Sequence, residues 1–221
     1  KYLKKDFRNN ILDLKKLLSV VKEFQPHVVF HLAAQSSVLE SYRTPKETIS
    51  INVMGTLNIL EAAKQCSSIK SLVIVTTDKV YLNLEKKIPF IEKDSLGGHD
   101  IYSGSKAAAE IVTQSYKKSF FQNKTCCIAT VRSGNCIGGG DWTKDRIVKD
   151  CAESFLKNKK LIIRYPNATR PWQHVLEPLF GYVKLSEKLF KNKKFEGSWN
   201  FGPRQKSNLK VIDVARFGKK F

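Results

Sequence analysis

The sequence predicts an α/β fold, a doubly wound parallel sheet followed by a smaller lobe, and three observations carry that expectation. Short apolar runs recur along the chain: Val28-Val29-Phe30-His31-Leu32-Ala33, Leu72-Val73-Ile74-Val75-Thr76 and Cys126-Cys127-Ile128-Ala129-Thr130-Val131. Each has the length and β-branched content of a buried strand. Between them lie segments whose apolar residues fall at helical spacing. Strand, helix, strand, helix at this spacing marks βαβ units, whose helices cover both faces of a parallel sheet.

The elements follow in order. Apolar positions 11, 14, 18 and 21, flanked by 12, 17, 20 and 24, predict a helix packing on a sheet, and Gln25-Pro26 ends it because the residue before proline is driven from helical geometry. The strand 28–33 follows. Pro45 precedes a helical pattern from about Glu47 to Cys66, and the next strand is 72–76. A polar loop, about Asp78 to Asp100, leads to a helix from about Ile101 to Phe121 and then to the strand 126–131. Gly138-Gly139-Gly140 opens a region of different character. There a helix is expected near 145–157, a short strand near 161–164, a helix near 176–190 and an aromatic strand at Trp199-Asn200-Phe201. Residues 211–221 read as the opening of a further helix. The expected division is 1–132 for the sheet domain and 133–221 for a lobe interleaved with it.

Composition narrows the class. A chain of 221 residues with 42% hydrophobic content buries at least one sizeable core. Its apolar runs are far shorter than the ~20 residues of a membrane-spanning helix. The first residues, Lys1-Tyr2-Leu3-Lys4-Lys5-Asp6, lead into no signal-type apolar segment and include no initiator Met, so the chain is expected to be cytoplasmic and cut from a longer one. Five cysteines without a C-x-x-C pair predict neither a disulfide framework nor a metal site. The net charge of +19 raises a nucleic-acid-binding or other non-catalytic basic protein as a rival. The excess is Lys spread along helices and loops without aromatic interleaving, however, and this favours a solvated surface with no nucleic-acid and no membrane partner.

Chemistry enters at Tyr102-Ser103-Gly104-Ser105-Lys106. Four residues apart on a helix, the phenol and the ammonium share a face. A nearby ammonium stabilises a phenolate and so converts a weak base into a usable one. The same spacing also describes an exposed Tyr beside a solvated Lys. Thr76-Thr77-Asp78-Lys79 directly follows an apolar strand, at the carboxyl edge where open α/β sheets bind ligands. There, too, an ordinary strand-to-loop turn accounts for the residue types. His31-Leu32-Ala33-Ala34-Gln35 ends the preceding strand with small residues that let a planar group approach the backbone.

In this order the segments His31-Leu32-Ala33-Ala34, Asn52-Val53-Met54-Gly55-Thr56, Thr77-Asp78-Lys79-Val80-Tyr81 and Tyr102-x-x-x-Lys106 resemble the extended short-chain dehydrogenase/reductases. The resemblance narrows at Leu96-Gly97-Gly98-His99-Asp100, Gly138-Gly139-Gly140-Asp141-Trp142 and Thr169-Arg170-Pro171-Trp172-Gln173-His174-Val175, which resemble the CDP-glucose 4,6-dehydratase branch. It implies a Rossmann-like sheet, NAD as cofactor, a nucleotide-sugar substrate with CDP-glucose first, a substrate-binding second lobe, and a homodimer through the Tyr/Lys helix. It implies catalytic roles for Thr77, Asp78, Lys79, Tyr102 and Lys106. Asp6, Phe7, Leu32, Ala33, Ala34, Gln35, Asn52 and Thr76 are implied to hold the cofactor with Tyr102 and Lys106, and Asn135 and Arg170 to hold the substrate. Asp78-Lys79 discriminates: dTDP-glucose dehydratases of the family usually carry Glu at the position of Lys79, and UDP-sugar epimerases usually lack the pair. The glycine-rich pyrophosphate turn of a dinucleotide site is not in this sequence; Asp6-Phe7 resembles the family's acidic adenine contact, which places that turn upstream of Lys1.

Overall fold

The computed structural model describes residues 5–84, 88–203 and 208–219; Lys1 to Lys4 and the last two positions of the expected terminal helix lie outside them. In chain order the elements are α1 (Leu14–Phe24), β1 (Val28–His31), α2 (Val38–Arg43), α3 (Pro45–Ile49), a π-helical turn (Ser50–Met54) and α4 (Gly55–Gln65). Next come β2 (Ser71–Val75), a 3-10 turn (Asp78–Val80), α5 (Ile101–Phe120), β3 (Cys127–Ser133), β4 (Cys136–Ile137) and α6 (Ile147–Leu156). The chain continues with β5 (Thr169–Pro171), β6 (Gln173–His174), α7 (Leu176–Lys191), β7 (Gly197–Phe201), β8 (Asn208–Lys210) and α8 (Val211–Gly218).

Two compact units are present. The first runs up to Arg132 and takes in Tyr182–Asn200; the second comprises Ser133–Gly181 and the residues from Phe201 onward. Residues 182–200, which fall within the expected 133–221 lobe, thus cluster with the first unit. The reason is β7, which stands beside β3 in the main sheet.

The sheet of the first unit has the order β1-β2-β3-β7. β1 runs parallel to β2 with Val28 opposite Ser71, and β2 runs parallel to β3 with Ser71 opposite Cys127. This is the Rossmann-type α/β sheet that the strand and helix alternation predicts. The core joins Leu72 and Ile74 of β2 and Ile128 of β3 to Ile59, Leu60 and Ala63 of α4, with Leu17 and Val21 of α1 packed against it. Helix ends follow local chemistry. Asp13 caps α1 by accepting from Lys16 N–H, and Gln25 closes it in the left-handed region, one residue before Pro26. The helical run from Pro45 to Gln65 is continuous but contains the π turn, an irregularity that hydrophobic spacing does not reveal.

The second unit differs from expectation at 161–164. No strand forms there; Ile162 is 79% exposed, and this unit's strands are β4, β5, β6 and β8 instead. β5 pairs antiparallel with β8, and β4 pairs parallel with β6. A short apolar run becomes a strand only where a neighbouring edge accepts its hydrogen bonds, and such an edge is supplied at 169–174. Among the described residues no helix is long and apolar enough to cross a membrane.

Candidate active site

Parallel pairing brings the carboxyl ends of β1, β2 and β3 to one rim of the sheet. β2 ends at Val75, and Thr76 and Thr77 lead into the turn Asp78–Val80. Thr77 caps that turn: its hydroxyl accepts from Lys79 N–H at 3.4 Å and donates to Asp78 Oδ1 at 3.1 Å. Val80 and Tyr81 pack on Ala107 of α5, with Phe90 and Leu96 closing the cluster. The Thr-Asp-Lys segment is therefore seated against α5. Thr77 is buried, and Asp78 and Lys79 are half-buried.

α5 begins with a capped, closely packed turn. Asp100 accepts from Ser103 N–H at 2.9 Å and from the Ser103 hydroxyl at 2.8 Å. Gly98 lies so near this turn that a Cβ there would meet Gly104 N at 2.5 Å and Ser103 C at 2.7 Å. The Gly-Gly-His-Asp motif thus has a steric reason. Beyond the cap, Tyr102, Lys106 and Glu110 recur every fourth residue along one helix face, and all three are buried. Lys106 Nζ donates to the carbonyl of Val75 at 3.1 Å, which brings the ammonium to the end of β2. Burial pulls the Lys106 pKa down to about 8, against the opposing charge of Glu110.

The β1 end is held by the π turn. Asn52 accepts from Gln35 N–H at 2.9 Å and donates to Gln35 O at 3.0 Å and to Ser105 Oγ at 2.8 Å. One buried amide thereby ties the strand-end loop to α5 next to Lys106. Gln35 in turn donates to Thr48 Oγ1 at 2.8 Å. His31, also buried, meets Thr56 Oγ1 at 3.2 Å, and that hydroxyl donates to the carbonyl of Asn52 at 2.7 Å. Burial, then the charge of Lys106, lowers the imidazole to about 4, so it is neutral. Leu32 and Ala33 remain exposed at the rim and Ala34 is half-buried.

Below the rim lies a charged network that sequence reasoning missed. Arg132 donates to both oxygens of Glu110 at 2.9 Å, and the two side chains are 1% and 0% exposed. Thr76 Oγ1 donates to Glu110 Oε1 at 2.6 Å and Thr130 Oγ1 to Oε2 at 2.7 Å. Burial would raise the Glu110 pKa, but Arg132 and the two hydroxyls outweigh it and hold the group below the usual carboxylate range. Arg132 also donates to Tyr81 OH at 2.9 Å, and Tyr81 donates to Asn200 Oδ1 at 2.6 Å. The signal in the sequence was Glu110 itself, a carboxylate continuing the Tyr102/Lys106 stripe.

The remaining residues expected in a site are placed as follows. Asp6 is exposed and accepts from Arg8 at 2.9 Å; Phe7 is exposed beside it. In the second unit, the Asn135 carbonyl accepts from Gln173 N–H at 3.0 Å, while its side-chain Oδ1 is buried without a hydrogen-bond partner. Arg170 sits half-buried in β5 and donates to its neighbour Thr169 O at 2.8 Å. Among the described residues no cluster of three or more His, Cys, Asp or Glu is arranged to hold a metal.

Known proteins resemble this chain over most of its length. CDP-glucose 4,6-dehydratase of Salmonella typhimurium is 47% identical over 201 residues, covering 88% of this chain and 56% of that protein. dTDP-D-glucose 4,6-dehydratase of Dictyostelium discoideum is 32% identical over 169 residues, covering 72% of this chain and 38% of that protein. The chain spans about half the length of the curated relatives it matches. The crystal structure of UDP-glucose 4-epimerase from Thermus thermophilus in complex with NAD matches with a TM-score of 0.83 at 25% identity, over 97% of this chain and 68% of that one. The sequence profile described as GDP-mannose 4,6 dehydratase matches residues 5–197, a span that holds the strand-end segments and the whole Tyr102–Glu110 stripe, and the chain accordingly belongs to that family.

Proposed function

We propose that this protein is an NAD-dependent nucleotide-sugar 4,6-dehydratase and that its substrate is CDP-glucose. One observation carries the reading: the bond from Lys106 Nζ to Val75 O sets the Tyr102/Lys106 face of α5 against the strand end that presents Thr77, Asp78 and Lys79. The substrate is argued from the Salmonella typhimurium relative and from Lys79 following Asp78.

In this reading Tyr102 removes the proton from the sugar 4-hydroxyl, with Thr77 beside it and the charge of Lys106 stabilising the phenolate. Asp78 protonates the 6-hydroxyl, which departs as water, and Lys79 takes the C5 proton made acidic by the 4-keto group and returns it to C5 as C6 is reduced. Bound NAD supplies the hydride acceptor and donor that this cycle needs. The residues present suit that group: small, exposed Ala33 leaves room for a planar ring at the rim, and Asn52 holds the adjoining Gln35 backbone rigid. Asp6 and Phe7 are assigned to the adenine end. Asn135, whose buried Oδ1 lacks a partner, and Arg170, whose fork suits a pyrophosphate, are assigned to the nucleotide-sugar.

A homodimer accompanies this reading. Ile101 and Ile111 are exposed on the side of α5 away from Tyr102, with Gly104 and Ala108 between them, a small and apolar stripe suited to a second copy.

The test is direct. The complete purified protein, incubated with CDP-glucose, is expected to release CDP-4-keto-6-deoxyglucose, and Tyr102→Phe is expected to lower kcat by about 100-fold or more. Protein that leaves CDP-glucose intact and instead epimerises UDP-glucose refutes the dehydratase assignment.

A further inference from the structure

Glu110 accepts five hydrogen bonds: two from Arg132 and one each from Thr76, Thr130 and Ser198. Such saturation of a fully buried carboxylate is costly to assemble, since a buried ion pair adds little net stability over well-packed apolar side chains. What it does supply is a defined position. Glu110 lies one turn beyond Lys106, about 6 Å along the helix axis. Lys106 holds the carbonyl of Val75 and Glu110 holds the hydroxyl of Thr76, so two successive turns of α5 grip two successive residues of the strand end. The very next residues are Thr77 and Asp78.

We propose that Glu110 is a positioning residue of the reaction: through Thr76 Oγ1 it sets the Thr77-Asp78-Lys79 segment in register with Tyr102 and Lys106. The inference rests on the roles assigned to those residues above. Arg132 is the counter-charge that lets the carboxylate stay ionised in a dry interior, and its contact with Tyr81 OH holds the far side of the same turn. Glu110 also opposes the effect of burial on Lys106 and so helps keep the ammonium charged.

The deciding variants separate position from folding. In the complete protein with its cofactor, Thr76→Val removes the hydroxyl's bonds to Glu110 and to Val131 O and leaves the Glu110–Arg132 pair intact, whereas Thr76→Ser restores them. Thr76→Val is expected to lower kcat on the order of 100-fold, as for a misplacement of about 1 Å, with KM for CDP-glucose little changed; loss of bound NAD instead would return Thr76 to the cofactor-holding role that its motif implied. Thr76→Ser is expected to recover most of the loss. Amide hydrogen exchange at Val80, whose N–H bonds to Thr77 O, is expected to quicken by about tenfold or more in Thr76→Val, a readout that needs no substrate. Glu110→Gln is expected to move the alkaline limb of the kcat profile to lower pH, while Thr76→Val leaves that limb in place. Wild-type kcat and unchanged exchange in Thr76→Val would overturn the inference, as would a loss that follows NAD content or that Ser fails to rescue. If wild-type protein ignores CDP-glucose, the function assigned above fails, and the exchange result alone then decides whether the grip exists.

Discussion

Lys106 and His31 are two bases whose charges burial opposes, and the consequences run in different pH ranges. Burial brings the Lys106 pKa to about 8, so under the proposed mechanism, in which its ammonium supports a Tyr102 phenolate, the alkaline limb of kcat is expected near that value. His31 falls from 6.5 to about 4. Between those values the unfolded chain binds a proton that the folded chain does not, so stability rises with pH through this window and is complete above it. Acidification across the window should cost roughly 3 kcal/mol from this group. His31→Asn, which cannot ionise, is expected to flatten the difference between urea-unfolding free energies at about pH 7 and about pH 4.5. An undiminished difference in the variant would assign the acid sensitivity to other groups. The Tyr102/Lys106 pair was legible as a spacing, because four residues make slightly more than one helical turn. That Lys106 ends on the Val75 carbonyl was not, because the partner lies 31 positions away.

At the scale of elements, the first turn of α5 illustrates why a motif needs its residues. Asp100 caps the helix, His99 Nε2 bonds to Asn83 O at 2.7 Å, and Gly98 lies against the helix backbone. Gly98→Ala would drive its Cβ into Gly104 N and Ser103 C, atoms of main chain that cannot rotate aside. The expected cost is about 1–3 kcal/mol in urea unfolding, and under the proposed mechanism a fall in kcat accompanies it because the displaced turn carries Tyr102. Wild-type stability and activity in that variant would show that the loop yields freely. The π turn at Ser50–Met54 belongs to the same scale. It places Asn52 where its amide clips Gln35, and nothing in the apolar spacing of 47–66 distinguishes it from regular helix, since one widened turn leaves the apolar face almost unchanged.

For the whole molecule, the stripe Ile101, Gly104, Ala108 and Ile111 on the exposed side of α5 predicts self-association of the complete protein. Ile111→Lys is expected to shift it from dimer to monomer in sedimentation equilibrium while leaving the monomer folded, because Ile111 is 53% exposed. A wild-type monomer would remove the stripe from consideration. At this scale the strand order was only partly legible. β1, β2 and β3 follow from alternation and short connections, but β7 joins beside β3 after a separate unit has intervened, so residues 182–200 return to the first unit. The apolar run 161–163 showed the converse limit, a strand-like segment that finds no edge.

The sequence by itself determined the α/β class, the order of the strand ends, and the residue types gathered at the candidate rim, because these depend on periodicities and neighbours only a few residues apart. Tertiary structure alone decided that Glu110, Arg132, Thr76 and Tyr81 form one buried network behind the rim, and that an amide at 52 holds a backbone at 35. Those outcomes depend on desolvation. A carboxylate and a guanidinium look like surface residues in any local window, and only the packing of β2, β3, β7 and α5 around them removes the water that makes their pairing obligatory.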